Sequence, residues 1–261
     1  MRAPRLALLM LRVQLLNELQ YRANLAVQLL QNVLALVIGV ITIDLVFSHV
    51  DDLEGWSRPQ LLVLFGVFTL VGGLLRMIVR PVFARLVEDV REGGFDFVLA
   101  KPVDTQLWVS SRAVDLWQGI DVLFGLGVIA WATTLLPAQI RVTDVVMFCV
   151  ALLLGTVILY CFLFSLVTTS FWFVRTEEIA ELFQYVYQAG RWPMTIYPGW
   201  LRAALTFVVP IGLSVSLPAD ALLSRLSGYT LLGEFAVAVA FVAFTRWIFR
   251  VGIRNYTGAS A

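Results

Sequence analysis

Apolar runs long enough to cross a bilayer alternate with short polar breaks along most of the chain, and one break is much longer than the rest. It falls between residues 76 and 112 and carries Arg76, Arg80, Arg85, Glu88, Asp89, Arg91, Glu92, Asp96, Lys101, Asp104 and Arg112. A stretch so charged must face water or a protein partner. The apolar runs predict six transmembrane helices, over about 25–47, 60–79, 113–136, 145–174, 201–217 and 229–249. Residues 1–23 mix leucines with Arg12, Gln14, Asn17, Glu18 and Arg22, which predicts an uncleaved interfacial helix. The uncharged run 145–174 would be about 45 Å long as a helix, so it must tilt, bend or project from the lipid. Residues 176–200 predict an amphipathic segment along the inner surface, with Glu178, Glu181, Gln184 and Gln188 on one face and Ile179, Leu182, Phe183 and Val186 on the other. Pro210 and Gly212 should kink the fifth run.

Composition changes the picture only by closing other routes. The mean hydropathy is +0.86, with 60% hydrophobic and 14% charged residues, too apolar for a soluble core. The fold class is therefore all-α, a polytopic membrane protein in one domain, with a cytoplasmic helical hairpin over 80–112. A net charge of +1 gives no sign of a nucleic-acid partner. With one histidine, His49, and two cysteines, Cys149 and Cys161, in one apolar run, no metal site and no catalytic nucleophile suggests itself. The chain has no phosphate-binding glycine loop with which to hydrolyse ATP. With the N-terminus inside, all but Arg58, Arg141 and Arg225 of the 19 basic residues lie on the cytoplasmic side or at span ends there. Both termini and the hairpin are then cytoplasmic.

Within the runs, a few polar residues stand out. Asn24, Gln28, Gln31 and Asn32 share one helical face in the first, as helix-to-helix glue or as the lining of a substrate cavity. Asp121 lies more than two turns into the third run, where Arg112 or Gln118 could pair with it, and Glu234 lies in the outer half of the sixth. An acid at such depth is a functional candidate. On the hairpin, Arg85, Glu88, Asp89 and Glu92 share one face of a first short helix. Phe83, Leu86, Val87 and Val90 can pack against the membrane helices, and Gly93 and Gly94 make a corner before a second short helix. Such a tip suits docking into a groove on a soluble partner, or is simply a solvated turn.

The stretch EGGFDFVLAKPVDTQLWVSSR resembles the permease subunits of bacterial type-2 ATP-binding-cassette exporters. The likeness rests on Gly94, Phe95, Asp96, Leu99, Lys101, Pro102 and Val103, with further similarity in YPGWLRAALTFVVPIGLSVSLPADALL and in YRAN before the first run. The resemblance implies a multi-pass permease of the bacterial inner membrane, exporting a hydrophobic or amphipathic substrate. It also implies partners: two copies of a nucleotide-binding ATPase subunit, which would hold the ATP and magnesium, and a second permease, identical or homologous. The hairpin would be the coupling element, through Arg85, Glu88, Asp89, Arg91, Glu92, Gly93, Gly94, Phe95, Asp96 and Lys101, with its tip at 88–96. The competing reading is a proton-coupled secondary transporter that uses Asp121 and Glu234.

Overall fold

The computed structural model describes residues 22–111, 114–137, 139–172 and 177–256. The interfacial helix expected over 1–23 lies almost wholly outside them. The chain forms two compact units, 1–49 and 50–261. In the first, α1 (Arg22–Phe47) is a single helix of 26 residues. It ends where Ser48 and His49 fold back, the His49 ring nitrogen bonding the Leu45 carbonyl at 2.9 Å.

The second unit is built around a helix longer than the expected run 60–79. α2 (Arg58–Leu74) passes through a π-helical turn (Leu75–Val79) into α3 (Arg80–Arg91), an unbroken 34 residues, or about 51 Å. Gln60 helps to start it by accepting the Ser57 backbone N–H at 3.0 Å. The π turn has an identifiable cause. Pro81 has no N–H to give the Met77 carbonyl four residues back. The backbone N–H of Asp115, on the chain's return from the hairpin, takes that place at 2.8 Å. A helix break thus becomes the point where the returning limb is fastened.

Two short helices follow, α4 (Phe95–Leu99) and α5 (Thr105–Ser111). Next come α6 (Gly119–Thr134) and α7 (Val142–Thr168). α6 packs along α2 at glycine contacts. A Cβ on Gly125 would lie 2.5 Å from the Leu70 nitrogen, and one on Gly73 would lie 2.7 Å from the Val122 nitrogen. Close backbone approach of this kind is how helices associate without a hydrophobic driving force between them. α7 carries α11 (Gly228–Asn255) against it.

Between α7 and α11 lie α8 (Glu177–Tyr187), two 3₁₀ turns, α9 (Gly199–Ala203) with a π turn to Val208, and a π turn (Gly212–Ser216) leading into α10 (Leu217–Leu222). The sequence laid 176–200 along an inner surface. The end of α8 and the turn after it pack beside the middle of α2, where the Tyr187 hydroxyl donates to the Phe68 carbonyl at 2.8 Å and the two rings stack at 4.8 Å. Phe183, Tyr187 and Gly190 form the buried stripe, while Leu182, Tyr185 and Val186 point outward. The outward side is mixed, with Glu181, Gln184 and Gln188 exposed beside those three. The fifth run is broken: Gly199–Val208 and Gly212–Leu222 meet at 81°, around Pro210, which cannot donate to the preceding turn.

Among the described residues the protein is helical with no strand. Four helices are long and apolar enough to cross a membrane, and five if the bent pair is one span. Gly119–Thr134, where the sequence predicts the third of six spans, is apolar but shorter, about 24 Å.

Candidate functional site

The polar hairpin is held to the bundle by aromatic packing at its corner. Gly93 turns the chain with φ +75°, a conformation natural to glycine, and delivers Phe95 into a pocket where it is 0% exposed. Its ring meets Phe171 beyond the end of α7 at 5.2 Å and Tyr256 at the end of α11 at 5.4 Å, both edge-on, the favoured geometry for ring pairs. The cluster continues through Phe249 and Phe164 to Tyr160. The Tyr160 hydroxyl then donates to Ser110 on α5, back in the hairpin. Asp104 caps α5 by accepting the Leu107 N–H at 3.0 Å and pairs with Arg246 of α11. The Tyr256 hydroxyl is buried, and among the described residues it has no hydrogen-bond partner. Burial raises its pKa, with Asp96 and Asp89 adding to the shift.

The opposite side of the hairpin faces out. Val82, Phe83 and Leu86 of α3 are buried, Asp89 is half-buried, and Arg85, Glu88, Arg91, Glu92, Asp96 and Lys101 are exposed. Lys101 lies over the Trp108 ring at 3.8 Å. Gly94 sits close behind Asp89, with room for an ordinary contact. The sequence grouped Phe95 with the outward charges. In the structure Phe95 is the anchor, and Phe97, which it passed over, is the outward aromatic, 79% exposed. The two are separated by one residue in a helical turn, so both cannot face the core.

Other candidates sit elsewhere. Gln28, Gln31 and Asn32 lie on one face of α1 with Gln31 exposed; the side chain of Asn24 lies outside the described residues, as does Arg112. Asp121 is 3% exposed. Among the described residues its partner is not Gln118 but Arg76, whose Nε and Nη2 donate to one carboxylate oxygen at 3.0 and 2.6 Å. Sequence reading missed this pair because 45 residues separate the partners, although two opposite charges at comparable depth in adjacent spans were a usable signal. Glu234 is 2% exposed, and among the described residues neither carboxylate oxygen has a hydrogen-bond partner.

A cavity of about 550 Å³ opens beside the π turn, between α3, α7 and α8. Its walls are apolar at Leu75, Val79, Phe83, Leu163, Val167 and Phe183. Arg76, Arg80, Arg91, Glu88, Glu181 and Gln184 supply the polar groups.

No curated protein and no solved structure matches the chain. A family described as ABC-2 family transporter protein does match it, over residues 33–260. With apolar spans, a long charged hairpin keyed into them and a match covering nearly the whole sequence, the chain belongs to the ABC-2 transporter family as a membrane permease subunit.

Proposed function

We propose that the chain is the transmembrane half of an exporter of hydrophobic or amphipathic molecules in the bacterial inner membrane. Two copies of a separate ATPase subunit, which bind ATP and magnesium, would drive it, and it would work beside a second permease, identical or homologous. The 80–112 hairpin is the coupling element. The observation that carries this reading is the burial of Phe95 between the ends of α7 and α11. A push on the outward face at Glu88, Glu92, Asp96 and Phe97 cannot move the corner without moving both helices. Coupling requires contacts that differ between the two states of the transporter, and an exposed charged face fixed to two long helices can provide them.

Reversing charge at Glu88, Asp89 and Glu92 together, in permease copurified with its ATPase, tests this. Stimulated ATP hydrolysis and transport should fall about 5- to 150-fold, the range of ordinary coupling energies, while the permease stays folded. Normal stimulation and normal transport in the triple variant would sink the assignment. A proton-coupled carrier is the weaker reading, because Asp121 is already held by Arg76.

A further inference from the structure

The cavity beside the π turn shares Glu88 and Arg91 with the hairpin's exposed face, and its chemistry is mixed in an ordered way. The floor is apolar, from Leu75 and Val79 on one wall to Leu163 and Val167 on the other. Arg76 is neutralised by Asp121 yet keeps a third of its side-chain surface open. Arg80 lies one turn beyond it. Among the described residues Arg80 is in no ion pair, and neither are Glu88 nor Glu181, which line the same cavity. Arg80 and Glu88 are eight residues apart on one helix, about 12 Å along its axis, and Glu181 faces them from α8. The wide π turn, a feature frequent at functional sites, lies in the cavity wall, where Arg76 and Arg80 both line the space.

A purely anionic ligand would gain from Arg80 but be repelled by two carboxylates, and a simple cation would meet the opposite conflict. A head group carrying both signs satisfies all three, since each of these open charges then has a counterpart. We infer that this cavity binds an aminophospholipid. Its phosphate would lie at Arg80 beside Arg76, its primary ammonium at Glu181 and Glu88, and its acyl chains over Leu75, Val79, Phe83, Leu163 and Val167. The volume accommodates the head group and the upper part of the chains, within the ordinary range of ligand sites. Placing this lipid in the cytoplasmic leaflet rests on the permease reading; the binding itself does not.

The test uses the full-length protein in mixed micelles doped with phosphatidylethanolamine, phosphatidylglycerol or phosphatidylcholine, with retained lipid counted by native mass spectrometry. Phosphatidylethanolamine should be retained at about one per chain and outcompete the other two about tenfold, a difference of about 1.4 kcal/mol. Phosphatidylglycerol lacks the amine, and phosphatidylcholine has no ammonium N–H to donate. R80Q and E181Q should each remove that preference. A84F, at an exposed position in the cavity wall, should exclude all three lipids without touching a charge, and serves if a charge variant fails to fold. Equal retention of the three lipids by the unaltered protein, or undiminished selective retention in A84F, overturns the inference. Neither outcome depends on an ATPase partner, so the permease reading stands or falls separately.

Discussion

Arg76 and Asp121 show how much one side chain can depend on another far away in sequence. Removing one member of a buried pair leaves an uncompensated charge, which costs about 3–5 kcal/mol, while replacing both with apolar groups is often neutral. Because Arg76 is a third open to the cavity and Asp121 is buried, R76A, which strands the buried carboxylate, should fall at the upper end of that range and D121A at the lower. The R76L/D121L double variant should recover most of the loss, as read by thermal unfolding in detergent. Glu234 makes the opposite prediction. Both its oxygens lack partners among the described residues, and an unsatisfied buried polar group costs about 1–3 kcal/mol, so E234M should raise the unfolding temperature. A fall would mean that the carboxylate has a partner supplied by another chain or a bound molecule. At the hairpin corner, Y256F should be neutral or stabilising by up to about 1 kcal/mol, since it removes only a buried hydroxyl without a partner. The raised pKa of Tyr256 gives a pH signature with a definite sign. Its stabilisation is complete below the ordinary value of 10.0 and fades as pH rises through the higher folded value. The phenylalanine variant should lose that alkaline sensitivity. The comparable depth of Arg76 and Asp121 in adjacent spans hints at their pairing, but burial and the choice of partner are set by which helices meet. The sequence did show that Asp121 and Glu234 lie at unusual depth.

At the scale of elements, the glycine contact between α2 and α6 and the aromatic corner of the hairpin do different work. A Cβ on Gly125 would meet backbone atoms of Leu70, at 2.5 Å from the nitrogen and 2.7 Å from Cα. Backbone cannot rotate away, so G125A should separate the helices and cut the yield of folded protein, whereas G127A, which meets nothing within 4 Å, should be silent. F95A should remove about 3–5 kcal/mol of packing locally. In the assembled transporter it should leave the ATPase bound but weaken the dependence of transport on hydrolysis. The sequence predicted a hairpin cornered at Gly93 and Gly94 because glycines, charges and a helical period are local signals. It placed Phe95 among the outward groups because contact with Phe171 and Tyr256 is not a local property. The unbroken continuation of the second span past 79 into the hairpin was hidden for a similar reason: a proline at 81 has no N–H for the Met77 carbonyl, and the Asp115 N–H that satisfies it comes from far along the chain.

For the whole molecule, the proposed topology predicts that a cysteine at position 52 is labelled from outside intact cells and one at position 92 is not, in a C149S background because Cys149 is itself exposed. The reverse pattern would invert the orientation. By itself the sequence determined the class: an all-helical membrane chain, the place of its one long polar excursion, and a family likeness that the match over 33–260 bears out. These follow from hydropathy, charge and local period, which are properties of neighbouring residues and survive without knowing what packs on what. Tertiary structure alone decided which acids are paired, which aromatic anchors the corner, and that Tyr187 of α8 seats against Phe68 of α2. Each of those depends on contacts between residues tens to more than a hundred positions apart, and an apolar sequence is compatible with many such arrangements until close packing selects one.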